Sequence, residues 1–234
     1  MLAKLIIINA LTLIRIIGCI ILVPIYNAYG GFTVGIFSLI CYGTDSIDGV
    51  LARHYKASTF FGAIFDGIAD KLFSLVNFIV LYLITPYALI PIIFEVLTVL
   101  VQVFKFNNNY NVQSNIIGKS KVWILAICTF ITFIASDVNK LTFLSGSLRS
   151  FISSIPYLYL LLPAIIIEVL TFGSYVFEIF KPSKKVVLKD NKKEIIIQEF
   201  NNKWDRFKKI WLNPEFYHEY KNATNLLDIW KLTK

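Results

Sequence analysis

The sequence predicts an all-α integral membrane protein with six transmembrane helices and a short basic C-terminal tail. Hydrophobic residues make up 56% of the 234 residues, charged residues only 16%, and the mean hydropathy is +0.66. Soluble domains carry about 25% charged residues. The apolar residues form six long segments, and basic residues are concentrated after residue 180. A water-soluble globule and a disordered chain are therefore both excluded for residues 1–180.

The six apolar segments are residues 5–26, 32–52, 61–84, 87–104, 122–136 and 155–180. A helix needs about 20 residues to cross the hydrocarbon core of a bilayer. All but 122–136 reach or approach that length, and this segment should extend towards Lys140. No segment shows the alternation of an outer-membrane barrel strand, so we expect helices. Asn9 and Arg15 interrupt the first segment and no cleavage site follows it, which favours a retained helix over a signal peptide.

The distribution of Lys and Arg predicts the orientation of the helices. With six crossings, the basic positions that fall on one side are Lys4, Arg53, Lys56, Lys105, Lys119, Lys121 and the tail. The loops on the other side, 85–86 and 137–154, contain only Lys140 and Arg149. We therefore expect a multi-pass protein of the cell membrane with both termini in the cytoplasm.

The tail, residues 181–234, is a separate region with 13 Lys/Arg and 7 Asp/Glu. It therefore carries most of the net charge of +8 of the whole chain. Such a charge suits an anionic membrane surface, and no nucleic-acid-binding motif accompanies it. Residues 185–198 predict a short hairpin. Residues 199–212 place four aromatic rings at helical spacing among basic residues, which predicts an amphipathic helix at the membrane surface. The alternative is a small cytosolic cap that packs on the chain itself or on a partner.

Four carboxylates in the region 45–70 carry the strongest chemical signal. Asp45 and Asp48 are three residues apart at the end of the second segment, and Asp66 and Asp70 are four apart at the start of the third. Both spacings put a pair on one helix face. Because the intervening loop is short, the two helices should be antiparallel neighbours, and the four carboxylates should meet just inside the cytoplasmic interface.

Acidic side chains within a membrane are costly, on the order of 2.5–3.5 kcal/mol each at the bilayer centre. Two divalent cations would compensate four of them, and ligands with oxygen donors alone select hard ions such as Mg²⁺ or Mn²⁺. Paired ions of this kind promote displacement at phosphorus. Gly49 and Gly62 would let a substrate approach the backbone, and Arg53 can bind a phosphate with two hydrogen bonds. The sequence thus predicts a polar, metal-binding cavity at the cytoplasmic side.

The same stretch resembles the signature of the CDP-alcohol phosphatidyltransferases, D-x2-D-G-x2-A-R-x8-G-x3-D-x3-D. It is complete here, and the eight matching positions are Asp45, Asp48, Gly49, Ala52, Arg53, Gly62, Asp66 and Asp70. The resemblance covers about residues 1–180, and the tail lies outside it. In that family an alcohol attacks the β-phosphorus of a CDP-linked lipid such as CDP-diacylglycerol and CMP is released.

The resemblance implies a role for each matching residue. The four aspartates would bind two Mg²⁺ or Mn²⁺ ions, and Asp70 would be the general base that accepts the proton of the acceptor hydroxyl. Gly49 and Arg53 would hold the CDP pyrophosphate, with Thr59 near the nucleotide. The family also implies a homodimer.

The acceptor alcohol is predicted from two further segments. The opening Asn9–Arg15 and the stretch Gly118–Lys121 resemble the phosphatidylglycerophosphate synthase and cardiolipin synthase branch. Lys119, Lys121 and Arg15 are then candidates to bind the phosphate of glycerol 3-phosphate. The alternatives are positive-inside anchoring for the lysines and snorkelling to the interface for Arg15.

One departure from that branch leaves other acceptors open. Phosphatidylglycerophosphate synthases usually carry an Arg-Glu pair in helix four, where this sequence has Phe94-Glu95. Phosphatidylglycerol, which would give cardiolipin, and an inositol phosphate therefore remain alternatives to glycerol 3-phosphate. Glu95 and Glu168 are interpreted as polar residues facing the cavity. Two other classes of function, a membrane transporter and a non-catalytic scaffold, are less compatible with carboxylates clustered at one end.

Overall fold

The computed structural model describes residues 2–55, 58–107, 116–180, 207–208 and 211–220. Within its helices, side chains are not described for residues 2–11, 45–54, 106–107, 116–119 and 219–220. The described part is all-helical and contains no strand. The hairpin predicted for 185–198 and most of the amphipathic helix predicted for 199–212 lie outside the described residues.

Each of the six predicted segments corresponds to a long helix. The helices are α1 (Leu2–Tyr29), α2 (Gly31–His54), α3 (Phe60–Tyr82), α4 (Leu89–Asn107), α5 (Ile116–Asp137), the short α6 (Gly146–Ser154), α7 (Tyr157–Phe180) and α8 (Pro214–Tyr220) in the tail. The 3₁₀ turns Pro86–Ala88 and Val138–Lys140 precede α4 and follow α5. The sequence did not predict α6, which begins where Ser145 Oγ accepts a hydrogen bond from the N–H of Leu148, 3.3 Å away.

The six long helices pack in a closed ring. Around the ring the order is α1, α2, α5, α7, α4 and α3, and α3 returns to α1. Helix α3 also contacts α5 across the ring. Rings and aliphatic side chains such as Leu22, Tyr42, Phe73, Leu125 and Leu161 fill much of the interior. Every long helix therefore turns one side inward and the other outward.

Polar side chains are enriched inside the bundle and large apolar ones on its outer surface. Large apolar side chains such as Ile20, Ile40 and Leu100 are exposed on the outer surface, whereas charged and hydroxyl side chains are buried between the helices. Buried Ser38 donates a 2.6 Å hydrogen bond to Asn77 Oδ1, which links α2 to α3. This pattern is expected for a bundle surrounded by lipid, where polar groups must find partners inside the protein.

Among the described residues, four helices are long and apolar enough to cross a membrane on their own composition. Their candidate spans are Thr12–Tyr29, Pro86–Lys105, Ser120–Lys140 and Tyr157–Phe180. Helix α2 has a shorter apolar stretch, Gly31–Thr44. Helix α3 carries three charged residues, Asp66, Asp70 and Lys71, within its first half, which lowers its hydropathy. The prediction of an all-helical protein is confirmed for the described residues, and the six transmembrane crossings stay a prediction.

The turn between α1 and α2 depends on a glycine. Gly30 has a φ of +83°, which L-residues with a side chain rarely adopt, and its N–H donates to Tyr26 O at 2.9 Å. The carboxylate of Asp137, at the end of α5, lies beside this turn and accepts a hydrogen bond from the N–H of Phe32 at 3.2 Å. The start of α2 is thereby attached to the end of α5.

Helices α2 and α5 approach closely because α2 carries Gly31 and Gly35, one turn apart. A Cβ at Gly31 would lie 2.7 Å from the carbonyl oxygen of Phe133, and one at Gly35 would lie 3.1 Å from Phe133 Cβ. Small residues at this spacing let membrane helices pack at short distance.

We expect Gly31→Ala to lower the free energy of unfolding by about 1–3 kcal/mol, because a backbone carbonyl cannot move aside as a flexible side chain can. Gly43→Ala in the same helix is the matched control, since nothing lies within 4 Å of its Cβ position. The measurement is thermal unfolding of both purified variants in detergent. Equal melting temperatures for the two variants would show that the α2–α5 contact does not depend on Gly31.

Candidate active site

Asp66 and Asp70 lie on one face of α3, near the N-terminal start of this helix. Helix α3 begins at Phe60, so the two carboxylates belong to its second and third turns. The Asp66 side chain is 43% exposed, and Asp70 is partly buried. Asp70 is within electrostatic reach of Glu95, Arg15 and Lys121. Two of the four predicted carboxylates thus lie on one side of α3, within reach of charged residues of α1, α4 and α5.

Arg15 of α1 forms an ion pair and a hydrogen bond with Asp66. The Arg15 side chain is only 1% exposed, so it turns into the bundle. A buried guanidinium needs a carboxylate or other acceptors to compensate its desolvation. The pair thus joins α1 to α3 at one of the predicted metal ligands.

Glu95, Lys121 and Glu168 form a buried charged triad between α4, α5 and α7. Lys121 Nζ forms an ion pair and a hydrogen bond with Glu95 and lies 3.0 Å from Glu168 Oε1. Glu95 is 2% exposed and Glu168 is 0% exposed. The sequence placed Lys121 at the cytoplasmic mouth as a candidate phosphate ligand. In the structure its ammonium already faces two carboxylates.

Thr59 and Gly62 form the N-terminal cap of α3. Thr59 Oγ1 accepts a hydrogen bond of 3.0 Å from the N–H of Gly62, and Thr59 is buried. A side-chain oxygen at this position satisfies one of the free N–H groups at a helix start. Thr59 therefore has a structural role, and its hydroxyl can still donate a hydrogen bond.

The remaining signature residues are on the last turns of α2. Asp45, Asp48, Gly49 and Arg53 belong to this helix, which ends at His54, but their side chains are not described. Because α2 ends and α3 begins across residues 55–59, the two aspartate pairs occur at the same end of the bundle. The side chain of Lys119, in the first turn of α5, is also outside the described ones.

Comparison with known proteins agrees with the signature. The profile of the CDP-alcohol phosphatidyltransferase family matches residues 5–171, well over half of the chain. The chain belongs to this family. It is also 29% identical over 150 residues to a CDP-diacylglycerol--glycerol-3-phosphate 3-phosphatidyltransferase of Wigglesworthia glossinidia brevipalpis, which covers 58% of this chain and 81% of the relative.

As a CDP-alcohol phosphatidyltransferase with several apolar helices, the chain is a multi-pass membrane protein. The matched residues end within α7, at position 171. Helix α8 and the rest of the tail therefore lie outside the part of the chain that the family profile covers.

The described side chains allow a partial test of the predicted metal site. Among them, no three His, Cys, Asp or Glu side chains are grouped as a metal centre. Only Asp66 and Asp70 of the four predicted ligands are in that part. Their donor chemistry fits a hard divalent ion, since both offer carboxylate oxygens only. Asp66 also contacts a cationic group, the guanidinium of Arg15, so positive charge is accommodated at this position.

Lys71 is a charged residue of the site that the sequence analysis missed. It follows Asp70 directly and is within electrostatic reach of Glu95, Lys121 and Asp70. The available signal was its position in an otherwise apolar helix, where an ionisable residue usually has a partner or a function. The ion pairs of Glu95 and Glu168 with Lys121 were also not predicted, although both glutamates were expected to face the cavity.

Proposed function

We propose that this protein transfers the phosphatidyl group of CDP-diacylglycerol to glycerol 3-phosphate, giving phosphatidylglycerophosphate and CMP. The observation that carries the proposal is the Asp66–Asp70 pair on one face of α3, inside a complete family signature. The charged interior formed by Arg15, Lys121 and their partners supports a polar reaction site within an otherwise apolar bundle. The Wigglesworthia relative, named for this reaction, supports the acceptor.

In the proposed reaction, the acceptor hydroxyl oxygen forms a bond to the β-phosphorus of CDP-diacylglycerol. The bond from that phosphorus to the bridging oxygen breaks, and CMP leaves with the oxygen. Asp70 takes the proton of the attacking hydroxyl, a role that positioned carboxylates commonly have. Arg53 and Gly49 hold the pyrophosphate, and the Thr59 hydroxyl and the Gly62 backbone border the nucleotide.

We propose that Asp45, Asp48, Asp66 and Asp70 hold two Mg²⁺ or Mn²⁺ ions. When bound, such ions neutralise the charge of the diphosphate and of the leaving group. Arg15, which contacts Asp66, compensates part of the negative charge of this set within the protein. These residues act at the cytoplasmic end if all six long helices cross the cell membrane with both termini in the cytoplasm, as we propose.

One observation favours phosphatidylglycerol as a second candidate acceptor. Lys121 is shared by Glu95 and Glu168, so the triad has one more carboxylate than ammonium groups. The Lys121 ammonium is already paired there and offers little to a phosphate dianion, whereas carboxylates readily accept hydrogen bonds from glycerol hydroxyls. With glycerol 3-phosphate, Lys119 and Arg15 would have to contribute more of the phosphate binding than Lys121.

The test is CMP release by the purified full-length protein with CDP-diacylglycerol, Mg²⁺ or Mn²⁺, and one acceptor at a time. We expect CMP and phosphatidylglycerophosphate with glycerol 3-phosphate, identified by mass spectrometry of the lipid product. Phosphatidylglycerol and an inositol phosphate are assayed in parallel. Cardiolipin formation alone would reassign the acceptor, and no CMP release with any acceptor would overturn the proposed function.

Two controls accompany this assay. EDTA should abolish CMP release, and excess Mg²⁺ or Mn²⁺ should restore it, because the proposed site depends on divalent ions. Reconstitution in liposomes tests the transporter alternative. A cation flux that survives Asp70→Asn would favour transport over phosphatidyl transfer.

A further inference from the structure

Helix α8 of the tail contacts the first residue of α3. The rings of Phe216 and Tyr217 pack on Phe60 at centroid distances of 6.3 and 5.1 Å, both edge to face. Phe60 is only 5% exposed, whereas its neighbour Phe61 is 38% exposed. A contact between residues this distant in sequence brings the tail to the end of the bundle where α2 ends and α3 begins.

Helix α8 is too short to be stable without this contact. It spans only Pro214–Tyr220, and isolated helices of such length are unstable in water. Its start is capped by Asn213, whose Oδ1 accepts a 2.9 Å hydrogen bond from the N–H of Glu215, and Pro214 is buried. Aromatic pairs in edge-to-face geometry stabilise contacts beyond the area they bury. The ring cluster of Phe60, Phe216 and Tyr217 is therefore the attachment that orders α8.

We propose that α8 is a positioning element of the transferase site, which fixes the start of α3 through Phe60 and thereby holds Thr59 and Gly62 at the nucleotide. This inference rests on the proposed function. It concerns a segment beyond the family match, which ends at residue 171.

The geometry predicts which step depends on α8. Phe60 directly follows the cap residue Thr59, and Gly62 donates to that cap within the same turn. Asp66 and Asp70 are one and two turns further along α3, and Asp66 is separately attached to Arg15. Loosening of the first turn should therefore weaken binding of CDP-diacylglycerol more than it slows the chemical step.

The experiment compares full-length variants in nanodiscs. Tyr217→Ala and Phe216→Ala should each raise KM for CDP-diacylglycerol about 2- to 10-fold, the range that corresponds to loss of one aromatic pair, with kcat within about twofold of the wild type. Tyr217→Phe, which keeps the ring, and Glu215→Ala, an exposed position on the same helix, should both behave as the wild type. Phe60→Leu combined with Tyr217→Ala should give less than the sum of the single effects on KM, as expected for residues in contact.

Amide hydrogen exchange provides a readout that does not depend on activity. Exchange in the first turns of α3 should be faster in Phe216→Ala and Tyr217→Ala than in Tyr217→Phe. Unchanged exchange together with unchanged KM would overturn the proposal. Faster exchange with unchanged KM would also overturn it, because α8 would then be structural only, and a rise in kcat/KM would indicate autoinhibition instead. A wild type without CMP release would overturn the proposed function, while exchange would still show whether α8 docks on α3.

Discussion

Replacing Asp70 by asparagine is expected to lower kcat for CMP release by about 10²- to 10⁴-fold, the usual contribution of a positioned general base. Asparagine has nearly the same shape but cannot accept the proton of the acceptor hydroxyl, and it is a poorer ligand for a hard cation. The variant should remain folded, because Asp70 lies on the polar side of α3 and not among its apolar contacts. The measurement is CMP release under saturating CDP-diacylglycerol, with melting temperature and gel filtration as checks of folding.

A second carboxylate serves as the matched control for this prediction. Glu215→Gln changes an exposed acid in α8, away from the interior, and should leave kcat unchanged. If the Asp70 variant kept more than a tenth of wild-type activity, another group would have to be the base. Loss of activity in both variants would instead indicate a general effect on the protein.

Replacing Lys121 by methionine should have the largest effect on stability. The substitution leaves Glu95 and Glu168 facing each other in the interior without an ammonium between them. Removal of one partner from a buried ion pair typically costs about 3–5 kcal/mol, because an uncompensated charge remains. We expect a correspondingly large fall in melting temperature in detergent, and loss of activity with it.

Two comparisons separate this charge effect from simple loss of a side chain. The triple variant with Lys121→Met, Glu95→Gln and Glu168→Gln should recover much of the lost stability, since no charge is then left unpaired. Lys105→Met should cost less, because its partner Glu178 is 32% exposed. The stabilising role of the triad would be contradicted if Lys121→Met were as stable as the wild type. It would also be contradicted if the triple variant were no more stable than the single one.

The helices could be predicted from the sequence because long apolar runs leave the backbone few alternatives in lipid. The fifth segment differs from its prediction. It was expected to begin at 122, but α5 begins at Ile116, and the lysine at 121 lies within this helix, buried against two carboxylates. The charge alone indicated an interface, and the partners on α4 and α7 could not be inferred from local sequence. Helix α6 was missed because it is short and polar.

The candidate site was predictable to the extent that its residues share a motif. Asp66 and Asp70 are on one helix face because their spacing requires it. The contact of Arg15 with Asp66 joins residues 51 positions apart, and only the ring packing of the helices brings them together. In the tail, α8 packs on Phe60 of α3, and the surface helix predicted for 199–212 stays a prediction. No periodicity within 181–234 could have identified Phe60 as its partner.

The ring arrangement has a consequence for biogenesis. The interior charges come from α1, α3, α4, α5 and α7, so the site is incomplete until the last of these helices has entered the bilayer. During synthesis, Glu95 would lack the ammonium of Lys121 until α5 emerged from the ribosome, and Glu168 would join this pair only with α7. A nascent chain halted before α7 should therefore be inert and a ready target for membrane proteases, so catalytic competence would report completed insertion.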